Sequence, residues 1–147
     1  MLKPEHRLSK TRDFNLLMKH SRWVNGRFID VKVVNLAQIQ PYFPKKEDLD
    51  KFKNQLRLAI TVGLKVSKSA VKRNRSRRKV SEVLRLLVKD GRLKTGHYLL
   101  FVAKKDILIK NYAEISEEVT LLLNKGKVIV NYNTFPYPGK EILTAIS

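Results

Sequence analysis

The segment from residue 56 to residue 65 constrains the fold of this chain more than any other. Its residues alternate strictly between apolar side chains and small or basic ones, and a two-residue period is typical of a β-strand with one side buried. The side predicted to contact a core consists of Leu56, Leu58, Ile60, Val62 and Leu64. The other side consists of Arg57, Ala59, Thr61, Gly63 and Lys65. This second side suits a surface across which another molecule lies.

A long helix is predicted soon after this strand. It begins at Ser67 or Ser69, since serine is a good N-terminal capping residue, and it extends to about Lys89. Gly91 follows in the position of a C-terminal cap. Next, Tyr98–Ala103 is a short and nearly continuous apolar run, which indicates a buried strand.

The rest of the chain supplies the flanking elements of a single domain, which is what 147 residues normally form. In chain order, we predict a helix capped by Ser9 or Thr11 and ending near His20, a turn at Asn25-Gly26, a strand at Phe28–Leu36, a loop at Pro41–Asn54, a helix from Asn111 to about Lys125 and an edge strand at Val128–Tyr132. This α-β-β-α-β-α order predicts an α+β fold, an α/β sandwich in which helices pack against one small sheet.

The charge of the chain points to a polyanionic partner. It has 31 Lys and Arg against 13 Asp and Glu, a formal net charge of +18, and self-repulsion at such a charge destabilises the free protein. Nucleic acid is the commonest partner that would neutralise it, and an anionic membrane surface is the main competitor. The apolar runs are far shorter than the roughly 20 residues that span a bilayer, and no signal-peptide pattern is present. We therefore expect no membrane and a cytoplasmic protein.

The cations are concentrated around the start of the long helix. No acidic residue occurs from Lys51 through Ser81. The apolar stripe of the helix is formed by Val80, Val83, Leu84, Leu87 and Val88, and its extension towards the N-terminus falls on Arg73, Ser76 and Arg77. A merely solvated helix would keep that stripe apolar to its end. We therefore expect the stripe to leave the core here and enter a charged surface, which favours contact with RNA or DNA. The helix N-terminus adds partial positive charge and backbone N–H groups that suit phosphate.

At these residues the sequence resembles the bacterial ribonuclease P protein family. That family has a strand, V-S-K-K, a short link, A-V and then R-N-R-x-K-R on a helix. The matching residues are Leu56–Val62, Lys65, Ala70–Lys72, Arg73–Arg78 and, near the start of the chain, His6–Leu8, Asp13-Phe14 and Arg27-Phe28. The likeness spans about residues 6–123. It departs from the family at Met18, where many members have a second aromatic residue, and at Gly63–Ser69, a link that is one residue longer.

The resemblance implies a small, mainly antiparallel sheet packed by helices, like domain 2 of ribosomal protein S5, with a left-handed βαβ crossover. It places this RNA-binding domain at residues 1–125 and leaves 126–147 as a C-terminal extension of unknown role. It also implies the protein subunit of an endoribonuclease that removes the 5′ leader of precursor tRNA. The catalytic chemistry and the Mg²⁺ are then expected in an RNA subunit, with no cofactor on the protein and no DNA partner.

Two groups of residues are expected to make the RNA contacts. Carried over by position, the residues that contact the RNA subunit are Lys68, Lys72, Arg73, Asn74, Arg75, Arg77, Arg78 and Lys79. The residues expected in the leader cleft are Phe14, Arg27, Phe28, Lys32, Arg57, Thr61 and Lys65. Single-strand binding combines a positive groove with aromatic platforms. Phe28 beside Lys32, across from Arg57 and Thr61, would form such a groove if those two strands pair. Helix core is an equally good interpretation of Phe14, and core or rim packing is the better one for Trp23.

Two other functions fit parts of the sequence. A ribosomal or general RNA-binding protein of the same fold explains the charge equally well but the Arg73-Asn74-Arg75 helix less well. A protein-only ribonuclease would use His6, His20 or His97 as acid and base. These histidines are scattered, no pair has a metal-ligand spacing and the chain has no Cys, so the residues offer little catalytic chemistry of their own.

Overall fold

The computed structural model describes residues 6–8, 10–38 and 55–129. Its regular elements are α1 (Thr11–His20), β1 (Arg22–Val24), β2 (Ile29–Asn35), β3 (Leu56–Thr61), α2 (Ala70–Lys89), β4 (His97–Ala103), a 3₁₀ helix (Lys105–Ile109) and α3 (Tyr112–Lys125). The predicted loop 41–54, Ser9 and most of the C-terminal extension lie outside the described residues.

The strands form one mixed sheet in the order β1-β2-β4-β3. β2 runs antiparallel to β1 and to β4, while β3 runs parallel to β4 with α2 as the connection between them. β4 is therefore interior, with Leu100 between Lys32 of β2 and Ala59 of β3. The continuous apolar run of β4 reflects burial on both faces of the sheet, with Tyr98 and Leu100 in one core and Leu99 and Phe101 in the other. The mixed sheet with its three helices confirms the predicted α+β fold.

Each face of the sheet has its own hydrophobic core. On one face, the side chains of β4 and β2 pack with α1 around Leu17, Val34, Tyr98 and Leu100. On the other face, α2 and α3 cover a larger core that includes Leu58, Phe101, Leu84 and Val119 among others. The helices thus lie in two layers, and each layer positions a different surface.

The ends of α2 and α3 follow local sequence signals. The Ser69 side chain accepts a hydrogen bond from the backbone N–H of Lys72, and Gly91 adopts φ +66° just beyond the end of the helix. Asn111 and Glu114 form a capping box at the start of α3. These observations confirm the predicted long helix, with Ser69 rather than Ser67 as its cap. The predicted cap of α1 by Thr11 is wrong, because Thr11 is the first residue of the helix and Lys10 occupies the N-cap position without a side-chain hydrogen bond.

The predicted strand at residues 56–65 is too long at its end. β3 stops at Thr61, and the chain turns so that the N–H of Val66 donates to the carbonyl of Gly63 at 3.0 Å. Leu64, which we expected in the core, lies in this turn and is 70% exposed, whereas Val66 is buried. A two-residue period does not show where a strand gives way to a turn, so it predicts a strand that is too long here.

The chain after α3 still belongs to the body of the domain. Val128 and Ile129 are buried in the larger core, and Ile129 forms an isolated antiparallel bridge with Leu93. The predicted strand at 128–132 is described only at this bridge, and the rest of the extension lies beyond the described residues. Among the helices that the structure describes, none is both long and apolar enough to cross a membrane.

Candidate nucleic-acid interface

The first half of α2 and the link before it carry a dense group of cations. The exposed members of this group, which we call the basic helix start, are Lys65, Lys68, Lys72, Arg75 and Arg78, and the half-buried members are Arg73, Arg77 and Lys79. Glu82 is the first acidic residue of the helix. The positive charge is therefore not neutralised within the helix start itself.

Three of these cations are held by the protein. Nη1 of Arg73 donates to the carbonyl of Ser67 at 2.8 Å, and Nη1 of Arg77 donates to Oδ1 of Asn74 at 2.6 Å. Nζ of Lys79 donates to the carbonyl of Lys110 at 3.1 Å. These bonds fix the shape of the helix start and the direction of its cations.

The remaining cations point away from the body. Within the part of the chain that the structure describes, no hydrogen bond or ion pair joins the side chains of Lys68, Lys72, Arg75 or Arg78 to another group. An arginine without a carboxylate partner presents all its donors to a ligand, and two such arginines suit bidentate contacts with phosphate. The structure therefore singles out Arg75 and Arg78 among the predicted arginines.

The core-facing stripe of α2 continues below the basic helix start. Ser76 is 4% exposed, one turn before the buried Val80. Our inference that the stripe leaves the core at this point is therefore wrong, because a small serine lets the helix stay seated on the body. The helix start therefore continues the packed helix, with Lys72, Arg75 and Arg78 on its exposed faces.

The sheet face beside α1 forms the second surface, which we call the α1 face. Phe14 and Leu16 of α1, and Ala59 and Val102 of the sheet, all pack there against the smaller core. Nζ of Lys32 lies 3.3 Å from the sulfur of Met18, which places Lys32 on the same face. By strand alternation Arg57 and Thr61 share the face with Ala59. The structure thus brings together Phe14, Lys32, Arg57 and Thr61 of the predicted leader group.

A buried polar network fixes α1 on this face. The hydroxyl of Tyr98 lies 3.1 Å from Oδ1 of Asp13 and 2.9 Å from Oε1 of Gln55. Nε of Arg57 is 3.9 Å from Oδ2 of Asp13, and its Nη1 donates to the carbonyl of Arg7 at 3.1 Å. The Arg57 side chain is only 17% exposed. Arg57 therefore links the sheet to α1 and to Arg7, and a small part of its side chain stays exposed on the α1 face.

Phe28 does not lie on the α1 face. It is 4% exposed and belongs to the larger core on the opposite side of the sheet, with Nζ of Lys110 5.3 Å from its ring centroid. Our expected groove required the strands that carry Lys32 and Arg57 to pair, and this pairing is wrong because β4 lies between them. A buried ring in the opposite layer cannot serve as a stacking platform in this cleft.

Arg27 and Lys65 are also separated from the α1 face. Arg27 lines a cavity with acidic side chains at the start of α3, and its Nε lies 3.6 Å from Oε1 of Glu118. The same carboxylate accepts hydrogen bonds from the backbone N–H groups of Arg27 and Phe28 at 2.7 and 2.9 Å. Lys65 lies in the turn before α2, so it joins the basic helix start.

Two residues of the α1 face were not in the predicted leader group, because core or rim packing was preferred for Trp23 and Met18 is not aromatic. Trp23 is 50% exposed and Met18 is 54% exposed, and Nζ of Lys32 lies 4.8 Å from the centroid of the indole ring. Trp23 occupies β1, a strand of only three residues that the periodicity did not predict. Three residues are too few for a two-residue period to identify a strand, so the sequence offers no clear signal for β1.

Two of the three histidines contact backbone carbonyls. Nδ1 of His6 lies 3.1 Å from the carbonyl of Leu56, and Nδ1 of His97 lies 3.0 Å from the carbonyl of Thr95. Burial lowers the pKa of His97. No group of three or more His, Asp or Glu side chains among the described residues is arranged to hold a metal ion.

Comparison with known proteins supports the resemblance seen in the sequence. The family model described as ribonuclease P matches residues 2–127. A ribonuclease P protein component from Synechococcus is 45% identical over 74 residues, which span 50% of this chain and 54% of the relative. One from Prochlorococcus marinus is 30% identical over 128 residues, 87% of this chain and 98% of the relative.

Solved structures of this family share the fold. The RNase P protein of Staphylococcus aureus has a TM-score of 0.64 at 22% identity, covering 85% of this chain and 98% of that one. The protein of Thermotoga maritima has a TM-score of 0.61 at 21% identity, covering 81% and 96%. At this identity the structures establish the architecture alone, and the family model establishes the membership. The chain belongs to the ribonuclease P protein family.

Proposed function

We propose that this chain is the protein subunit of ribonuclease P and that it promotes removal of the 5′ leader from precursor tRNA. The observation that carries the proposal is the basic helix start, whose outward cations lack acidic partners among the described residues. It lies next to the strand that also contributes to the α1 face. β3 ends at Thr61, and residues 62–69 lead directly from that face into α2. One RNA-bound protein can therefore present two connected surfaces.

The basic helix start is the proposed contact for the catalytic RNA subunit. A folded RNA presents closely spaced phosphates, and the outward Arg75 and Arg78 can each bind one through two parallel hydrogen bonds. The partial positive charge at the start of α2 acts in the same direction. Lys72 on the first turn of α2 and Lys68 on the link before the helix add two further positive charges.

The α1 face is the proposed contact for the single-stranded leader. It offers an apolar floor at Ala59, Val102 and Leu100, an aromatic ring at Phe14 and the cation Lys32. These are the two components of single-strand binding, a positive groove and stacking platforms. Because neither component requires a particular base, we expect leaders of varied sequence to bind.

The chemistry is assigned to the RNA subunit. When bound there, Mg²⁺ supplies the charge neutralisation and the activated water for phosphodiester cleavage. The protein's residues bind and orient: the helix start neutralises phosphates of the RNA subunit, and the α1 face holds the leader. The result is tighter substrate binding and a lower Mg²⁺ requirement. A cytoplasmic location stays a prediction that follows from the substrate.

The proposal is tested by binding of the protein to its cognate RNA subunit. The double variant Arg75→Ala/Arg78→Ala removes two outward cations without touching the hydrogen bonds of Arg73 and Arg77. The control, Lys89→Ala/Lys125→Ala, removes two exposed cations from the distal ends of α2 and α3. Both variants have the same net charge, so non-specific attraction changes equally.

We expect the helix-start variant to bind the RNA subunit at least about 10-fold more weakly than the control variant at moderate salt, with unchanged thermal unfolding. Equal affinities of the two variants would contradict the assigned contact. If the wild-type protein binds ribosomal RNA more tightly than the ribonuclease P RNA, the ribosomal alternative is favoured instead.

A further inference from the structure

We infer that Trp23 is an additional stacking platform for the leader, which extends the α1 face across the whole width of the sheet to its β1 edge. This inference rests on the proposed function and adds to it a residue and a leader-length requirement. Trp23 is half exposed, and its register partner is Lys32 of β2. Nothing in the resemblance assigned the residue a role.

Trp23, Lys32 and Met18 lie next to one another on the α1 face. Nζ of Lys32 lies 4.8 Å from the indole centroid and 3.3 Å from the sulfur of Met18, which is itself 54% exposed. Isolated exposed apolar residues are common on protein surfaces and need no explanation. Here, however, two large ones flank a single cation and continue the apolar floor of the α1 face.

The arrangement suits a stacked base. Nζ of Lys32 lies over the indole ring, and half of the Trp23 side chain stays exposed to a base. The ammonium group beside it is placed for the phosphate of the same nucleotide. Met18 of α1 offers a flexible thioether and not a flat ring. The flat aromatic surface on this part of the α1 face therefore comes from Trp23 of β1. Base–aromatic stacking contributes about 1–3 kcal/mol per base and tolerates any base.

The position of Trp23 sets a length requirement. The path from Ala59 on β3 through Leu100 and Lys32 to Trp23 crosses three strand spacings, which is about 14 Å at about 4.8 Å per spacing. Since a stacked strand advances roughly 3.4 Å per nucleotide, several nucleotides lie between β3 and Trp23. A leader that enters beside the basic helix start must be several nucleotides long before a base reaches the indole.

The test uses the emission of Trp23, which is the only tryptophan of the chain. Holoenzyme assembled with the cognate RNA subunit is titrated, in Ca²⁺ to prevent cleavage, with precursor tRNAs whose leaders range from about 1 to about 10 nucleotides. We expect quenching of the emission by long leaders and none by the shortest. The affinity of Trp23→Ala holoenzyme for long leaders should fall by about 5-fold to about 150-fold, the range equivalent to one stacked base.

Matched variants distinguish stacking from a general disturbance. Trp23→Phe should retain most of the affinity because it keeps a flat ring, and Tyr112→Ala, which removes an exposed ring on α3, should bind as the wild type does. All variants should bind the shortest-leader substrate equally. Active holoenzyme without quenching, with Trp23→Ala equal to wild type for every leader, would overturn this inference and leave the proposed function intact. A wild-type protein that does not stimulate its RNA subunit would overturn both.

Discussion

The hydroxyl of Tyr98 lies 3.1 Å from Oδ1 of Asp13 and joins the interior strand to the first helix across 85 residues of sequence. Both residues are fully buried. Burial raises the pKa of Tyr98 well above its ordinary value, and the charge of Asp13 acts in the same direction. The phenol therefore stays protonated and keeps a donor available. Since α1 borders the α1 face, this bond helps to position the surface that we propose for the leader.

Removal of the Tyr98 hydroxyl is expected to destabilise the protein. Tyr98→Phe leaves the buried Asp13 with one donor fewer, and such a loss costs about 1–3 kcal/mol in the free energy of unfolding. Urea denaturation measures the difference. Tyr112→Phe, which removes a phenol from the surface, is the control and should change stability by less than about 0.5 kcal/mol. Equal effects of the two changes would show that the buried bond is not stabilising.

The buried carboxylate of Glu118 is expected to hold the link between β1 and β2. Its Oε2 accepts the N–H groups of Arg27 and Phe28, so Glu118→Gln weakens two charge-assisted hydrogen bonds. We expect a loss of about 1–3 kcal/mol in unfolding free energy. The exposed neighbour Glu117 provides the matched change Glu117→Gln, and a comparable loss for that variant would contradict the assignment.

Stability should fall at mildly acidic pH partly because of His97. Burial lowers its pKa, and the charges of Lys94 and Arg22 lower it further. Hydrogen bonds to the carbonyls of Thr95 and Lys94 act in the opposite direction but do not outweigh the burial. The unfolded chain titrates near 6.5. Below that pH the unfolded state binds more protons than the folded one, until the lowered folded pKa is passed.

Replacement of this imidazole therefore has a pH-dependent effect. The melting temperature of His97→Asn, relative to that of the wild type, should rise as pH falls from 7 through about 6.5 towards 5.5, and it should be constant above pH 7.5. Thermal unfolding at a series of pH values measures the difference. A difference that does not change with pH would show that His97 titrates alike in both states.

The affinity for the RNA subunit should depend steeply on salt. Neutralisation of about six to eight phosphates gives a log–log slope of roughly −4 to −7. The Arg75→Ala/Arg78→Ala variant should reduce the magnitude of that slope by roughly 1 to 2. Titrations at several salt concentrations give both values. An unchanged slope would mean that these arginines do not contact phosphate.

Much of the fold could be predicted because its signals are local. Ser69, Gly91 and Asn111 mark helix ends through their own hydrogen bonds or backbone angles. The continuous apolar run at 98–103 likewise identified the interior strand. β1 and the order of the strands have no such signal, since they depend on pairings between distant segments.

The site was predicted in the same uneven way. The basic helix start depends on composition within one helix, and the structure places its predicted cations together. The leader group required β2 to lie beside β3, but β4 lies between them. Phe28 lies in the opposite core, and Trp23, for which core or rim packing was the preferred interpretation, is half exposed. Sequence alternation gives the face of each residue within one strand but not which strands are neighbours.

Cleavage of a precursor tRNA at low Mg²⁺ tests the central claim most directly. The cognate RNA subunit alone, the protein alone and the two together are compared for release of the 5′ leader. We predict accurate cleavage only when both are present. Cleavage by the protein alone would place the chemistry on its own side chains, and no stimulation of the RNA subunit would contradict the proposed function.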